Sequence, residues 1–291
     1  MRPHTIKWLV GIVVLGLIVI GGYLLFRSPT STPPIAPPVE KAYPEHKVIG
    51  KSVEGRAIDA YTYGTGTTSI LFVGGTHGGY EWNSVLLAYE YMDYLKAHPD
   101  SLASNLSVTV IPSANPDGLY EVVGKEGRFI ASDVSVSTDV QISGRLNANG
   151  VDLNRNFDCN WEADGIWRKA SVSGGSAPFS EPEALAIKNY ILESKPVAVI
   201  FWHSQAGAVY ASKCNEDTLP ETLDIMNAYA KASGYNAVPN FDAYKVTGDS
   251  EGWLASIGIP AITVELTNHS DIEWNKNLSG VRAILEDYAG K

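Results

Sequence analysis

The sequence predicts an α/β protein in which a central β-sheet is covered by helices on both faces, and three observations lead there. Apolar, β-branched runs bounded by turn residues recur at 69–73, 106–111, 197–202 and 259–266. Helix-compatible stretches lie between or after them, at 84–97, 182–193, 218–233, 250–257 and 278–288. The chain is 291 residues long and 45% apolar, enough for one large core. Short continuous apolar runs are the mark of strands buried on both faces. Their alternation with helices puts those helices in layers over the sheet.

In chain order, the first element is different in kind. Residues 8–26 form an uncharged run of 19 residues rich in leucine, isoleucine and valine, with Arg2 and Lys7 before it and Arg27 after it. That length crosses a bilayer core. A cleaved secretory signal has a shorter apolar region and a small-residue cleavage site, whereas this run ends in LLFRSPTSTPPIAPP. The expectation is an uncleaved transmembrane anchor within residues 1–27, its N-terminus cytoplasmic by the positive-inside bias. Residues 28–42, rich in proline, serine and threonine, suit an extended linker. Residues 43–291 then form a catalytic-sized domain outside the cytoplasm.

The chain holds 22 basic and 32 acidic residues, a formal net charge of −10, and the three basic residues around the anchor leave the domain more acidic still. Nucleic acid and anionic lipid surfaces are poor partners for such a charge. The two cysteines, Cys159 and Cys214, can pair in an oxidising compartment, with two free thiols as the alternative. Without CxxC spacing they do not read as zinc ligands. Residues 122–143 are polar and lack sustained periodicity, which reads as a long loop or small excursion, and such loops are often functional.

In α/β sheets ligands bind beyond the carboxyl ends of the strands. His77 follows the first apolar run in GGTHGGYEWNS, His203 ends the third in FWHS, and Glu265 lies near the end of the fourth in ITVEL. A glutamate inside an apolar strand is expensive to bury as a charge and asks for a partner or a task. Taken singly, a histidine near a strand end is most often a hydrogen-bonded structural residue.

Taken together, GGTHGGYE, ANPDG, GRLNANGVDLNRNFD, FWHS and GIPAITVEL, in this order, resemble the zinc carboxypeptidases, the M14 metallopeptidases, over nearly all of residues 43–291. The resemblance implies that family's mixed central sheet and one zinc ion, with His77, Glu81 and His203 as ligands and a fourth position open. It implies Glu265 as general base and Asp152 as the carboxylate that fixes the tautomer of the first histidine. Asn154 and Arg155 match a clamp for the free C-terminal carboxylate of a peptide substrate, and Arg145 matches the stabiliser of the oxyanion. Tyr244, nine residues before Trp253, matches the mobile tyrosine that closes over substrate. Glu251 falls where side-chain preference is set, and an acid there resembles the members that prefer a basic terminal residue. Simpler readings stay open for several of these: a turn aspartate at 152, a solvated Arg145, Tyr235 or a core tyrosine in place of Tyr244, and an exposed helix-start acid at 251.

The departure lies in the first motif. The family pattern is HxxE, and here three residues separate His77 from Glu81. Two glycines give the turn freedom to loop out a residue, and the next acid, Glu90, is too far along the predicted helix to substitute. Residues 78–80 are therefore expected to bulge so that His77 and Glu81 meet at one metal, with Asp152 behind the histidine. The function expected is that of a membrane-anchored zinc carboxypeptidase, with cell-wall peptides ending in a diamino acid among the substrates Glu251 would suit. The rivals are an N-acyl amino acid deacylase of the same fold, and a catalytically inactive binding module should the long spacing abolish zinc binding.

Overall fold

The computed structural model describes residues 44–291, so the anchor and linker expected over residues 1–42 lie outside the described residues. Among the described residues no helix is long and apolar enough to cross a membrane.

The main sheet has eight strands: β1 (Glu45–Lys51), β2 (Ala57–Gly64), β3 (Thr68–Val73), β4 (Leu106–Ile111), β7 (Ala198–Ser204), β8 (Ala208–Ala211), β9 (Asn236–Val238) and β10 (Ala261–Leu266). Strands β5 (Asp164–Trp167) and β6 (Ala170–Ser173) form a separate hairpin. The order across the main sheet is β1-β2-β4-β3-β7-β10-β8-β9. Its centre, β4-β3-β7-β10, is wholly parallel. The flanks β1/β2, β2/β4 and β10/β8 are antiparallel, which makes the sheet mixed.

The four central strands are the four apolar runs, and their side chains divide between two cores because successive residues of a strand face opposite ways. Ile70, Phe72, Ile200, Trp202, Ile262 and Val264 face one core. It is closed by α1 (Trp82–Ala97), α5 (Pro220–Ser233) and α7 (Trp274–Ala289) through Leu87, Tyr91, Ile225, Tyr229, Val281 and Ile284. Leu71, Val73, Val199, Phe201 and Ala261 face the other. There α4 (Pro182–Ser194) and α6 (Ser250–Ser256) contribute Ile187, Ile191, Trp253 and Leu254. The expected helices on both faces are therefore present, with α1 and α7 starting earlier than the sequence pattern marked.

Three features were not visible in the pattern. Strand β1 is exposed at most positions, and β8 and β9 have only four and three residues, so none carries a long apolar run. Helix α2 (Pro116–Val123) is too short to show periodicity, although its start is marked by Pro116 and by Asn115, whose side chain accepts from the Gly118 amide. The segment 122–143 is less irregular than expected: it holds a 3₁₀ turn at Ala131–Asp133 and the helix α3 (Thr138–Ser143). It is tied down by a third small core in which Phe129 joins Trp82, Leu119 and Val122.

Candidate metal centre

The site begins where β3 ends. Residues Gly78–Glu81 form a single 3₁₀ turn that leads straight into α1. Gly78 has φ +44°, and a Cβ there would stand 2.5 Å from the Gly144 carbonyl oxygen, so both its backbone angle and its surroundings require glycine. The Tyr80 amide donates to the His77 carbonyl at 3.1 Å, and the Ser84 hydroxyl donates to the Glu81 carbonyl at 2.7 Å. One tight turn thus absorbs the extra residue of the HxxxE spacing. His77 Nδ1 and Glu81 Oε1 end 2.8 Å apart.

His203 arrives from the adjacent parallel strand. Its Nδ1 lies 2.9 Å from Glu81 Oε2 and 3.1 Å from His77 Nδ1. All three residues are closed off from solvent, at 5%, 2% and 1% exposure for His77, Glu81 and His203, so the Glu81 charge must be met by a cation in place. In these residues burial opposes the carboxylate, yet the two imidazoles hold Glu81 well below the usual carboxylate range. His77 is pushed up: burial and Arg145 act against its charged form, but Glu81 and Asp152 outweigh them. Ligand atoms on a tetrahedral zinc at its usual bond lengths would stand about 3.3 Å apart. The observed separations are a few tenths shorter, and the two-imidazole, one-carboxylate set is one that zinc takes. These residues fit the metal.

Asp152 stands behind His77, Oδ1 3.4 Å from Nε2. Its other oxygen accepts from Arg145 Nε at 3.0 Å and Nη2 at 2.8 Å. Burial would raise Asp152, but the Arg145 guanidinium, then His77, holds it well below its ordinary value. Arg145 is therefore no solvated surface residue: it is 3% exposed, and its Nη1 reaches within 3.6 Å of Glu81 Oε1.

Glu265 pairs in register with His203 across β7 and β10, and both side chains leave the sheet on the same face. Its Oε2 has no hydrogen-bond partner. Burial first, and Glu81 second, push its pKa up to about 8.

A cavity of about 710 Å³ opens over these groups, and Asn154, Arg155, Tyr244 and Glu251 line it too. Glu251 is 1% exposed, which disposes of the exposed helix-start reading. Its Oε1 accepts from Thr263 at 2.6 Å, its Oε2 from Ser250 at 2.9 Å, and Oε1 stands 3.8 Å from His203 Nε2. Beside it Asp249 is pushed up to about 6 by burial and by the Glu251 charge. Asn154 Oδ1 accepts from the Ser250 amide at 3.0 Å. Arg155 is less free than a clamp drawn from sequence: its Nε and Nη2 donate to the Ile166 carbonyl and its Nη1 to the Asn154 carbonyl. A guanidinium has five N–H groups, so two remain for a ligand. Tyr244 packs edge-on against Phe241 at 4.9 Å. Tyr235 instead donates to Glu273 from among the residues of the helical core. Cys159 and Cys214 are joined in a disulfide at the cavity edge.

Sequence reasoning missed Tyr80, Trp167 and Arg168 on one wall and Asp249 and Thr263 on the floor. Tyr80 had a signal, its place inside the metal motif. Thr263 had one too, two residues before Glu265 on the same face of its strand; Trp167, Arg168 and Asp249 had none, because only the fold carries the β5–β6 hairpin and the α6 start to the site.

An α/β sandwich with a buried His-Glu-His donor set at its strand ends, and a protonatable glutamate beside it, defines the class of a single-metal hydrolase. The chain belongs to the zinc carboxypeptidase family, whose sequence profile matches residues 39–281. It is 25% identical over 250 residues to gamma-D-glutamyl-L-diamino acid endopeptidase 1 of Lysinibacillus sphaericus, covering 78% of this chain and 62% of that protein. It is 32% identical over 135 residues to murein peptide amidase A of Escherichia coli K12, covering 43% of this chain and 52% of the amidase. The chain thus spans under two thirds of either relative. The crystal structure of a murein-tripeptide amidase from Escherichia coli O157 superposes with a TM-score of 0.61 at 23% identity, covering 86% of this chain and 95% of that one.

If Asp152 orients His77 for the metal, Asp152→Asn lowers zinc affinity about 10- to 100-fold in competition with a chromophoric chelator. Unchanged affinity would uncouple the two residues.

Proposed function

We propose that this chain is a zinc carboxypeptidase that cleaves a basic or diamino residue from the C-terminus of short cell-wall peptides, held outside the cytoplasm by an anchor within residues 1–27. The observation that carries the reading is the convergence of His77, Glu81 and His203 with Glu265 in register beside them, in a cavity that also holds Asn154, Arg155 and Glu251. The named substrates of two relatives, a γ-D-glutamyl bond to an L-diamino acid and a murein peptide, support the cell-wall part. The apolar run at 8–26 supports the anchor. The inactive-module reading needs the long spacing to hold His77 and Glu81 apart, and they are 2.8 Å apart.

Zinc, when bound by these three residues, supplies a Lewis acid and a water acidified to a pKa of about 7. The chain's own groups do the rest. The unpartnered Oε2 of Glu265 takes the proton of the attacking water and hands it to the departing amine. Arg145, fixed by its two bonds to Asp152, has Nη1 near Glu81 but without a hydrogen bond, and this group meets the developing oxyanion. The remaining N–H groups of Arg155 and the Asn154 amide receive the terminal carboxylate, and Tyr244 closes over it. Glu251, with Asp249 beside it, offers an acidic floor to the side-chain ammonium.

Glu265→Gln should lower kcat by about 10²- to 10⁴-fold with zinc content unchanged. Glu265 must be deprotonated to act, so kcat/KM rises with pH through its pKa. A divalent ion at the donors offsets the Glu81 charge, so the acid limb should fall between the ordinary 4.5 and about 8. Full activity in the variant, or a limb at or below the ordinary value, would sink this role. Glu251→Ala should reduce kcat/KM for lysine-ended peptides far more than for leucine-ended ones; equal losses would remove Glu251 from specificity. If residues 8–26 anchor the chain, the full-length protein stays with membranes through alkaline carbonate extraction and a version lacking them does not.

A further inference from the structure

The cavity has a second charged end that the reading above leaves without a task. The β5–β6 hairpin turns at Arg168 and Lys169, and Arg168 takes this corner with φ +56°. That backbone region suits glycine or asparagine, and a long cationic side chain is an unusual choice there. Arg168 lines the cavity, is exposed, and has no carboxylate within ion-pair distance among the described residues. Of the other arginines and lysines of the cavity, Arg145 is held by Asp152, Arg155 by backbone carbonyls and Lys245 by Glu162, while Lys213, next to the Cys159–Cys214 disulfide, is like Arg168 without an ion pair among the described residues.

Position gives Arg168 a side. Its guanidinium carbon lies 5.2 Å from the Trp167 ring centre, and the same ring has the Arg145 guanidinium at 4.4 Å and the Tyr80 ring at 5.3 Å. Trp167 and Tyr80 thus form an aromatic wall on the His77, Glu81 and Arg145 side of the donors. Glu251 lies past the other histidine, within 3.8 Å of His203 Nε2. The acidic floor and the free arginine therefore flank the metal donors from different directions. A substrate laid across them with its basic leaving residue over Glu251 presents its acyl residue to the Trp167 wall and Arg168.

Resting on the proposed cell-wall peptidase function, we infer that Arg168 and the Tyr80–Trp167 wall form a subsite for a carboxylate on the acyl residue, so that the preferred substrate is an acidic residue joined to a basic one. An acyl residue linked through its γ-carboxyl meets this requirement, because its α-carboxylate stays free next to the bond being cut. A guanidinium backed by an aromatic face is well suited to receive it in bidentate fashion.

Two probes test this: the tripeptide L-Ala-γ-D-Glu-meso-diaminopimelate and the same peptide with the glutamyl α-carboxylate converted to the carboxamide. The zinc-loaded wild type should favour the carboxylate by about tenfold in kcat/KM at low salt, and the preference should shrink as salt screens an exposed pair. Arg168→Asn, a residue that tolerates the positive φ, should hydrolyse both probes at the wild-type rate for the carboxamide, and Arg168→Lys should restore part of the preference. Equal turnover of the two probes by wild type, or a preference that survives in Arg168→Asn, overturns the subsite and leaves the peptidase reading standing. Failure of wild type to cleave either probe rejects the cell-wall substrate and the subsite together.

Discussion

The Glu81 carboxylate, closed in between the Nδ1 atoms of His77 and His203 at 2.8 and 2.9 Å, is the interaction on which the rest of the site depends. A carboxylate at 2% exposure cannot stand alone. The Ser204 amide adds a donor at 3.2 Å, but the balance of charge needs cations, whether imidazolium or a metal. Each neighbouring group then follows in sign. Asp152 faces the far nitrogen of His77, Arg145 answers Asp152, and Glu265, left beside a second carboxylate with no cation of its own, is driven toward its protonated form. The elevated Glu265 is a consequence of the Glu81 charge as well as of its own burial.

The sheet makes this crowding possible. Four parallel strands end on one edge, and the two that carry His203 and Glu265 are direct neighbours, with the two residues opposite one another. Strict alternation places both on one face once the flanking apolar residues are assigned to their cores. The other two metal donors, His77 and Glu81, follow the end of β3, one strand beyond β7. Rigid strands thus fix the spacing of the chemistry, and the glycine turn before α1 brings Glu81 back to His77.

Around this centre the walls come from irregular segments held by other means. A disulfide joins Cys159 to Cys214, and Arg155 pins the β5 strand through the Ile166 carbonyl. Asn154 caps the approach to α6 by accepting from Ser250, which also donates to Glu251. One polar chain therefore couples the segment expected to bind a terminal carboxylate to the acid expected to choose the side chain.

Much of this was legible in one dimension, for an identifiable reason. The central strands are buried on both faces, so their sequences are continuous apolar runs, and a His or Glu interrupting such a run stands out. Ordered short motifs then led to His77, Glu81, His203, Asp152 and Glu265. Among the flanking strands β1 and β9 escaped because an exposed or three-residue strand has no hydrophobic signature, and β2 because it alternates apolar with polar residues and shows no continuous apolar run. Glu251 was ambiguous for a related reason: an acid in the first turn of a helix has the same local pattern whether it faces water or a cavity. What the sequence by itself determined was the inventory of chemical groups and the parallel core that carries them, since both are written in residue type and period. What only the tertiary structure decided was proximity: that one tight turn brings His77 to Glu81, that Arg155 is partly engaged by its own backbone, and that a hairpin tip sets Arg168 at the cavity, all of which depend on contacts between segments far apart in the chain.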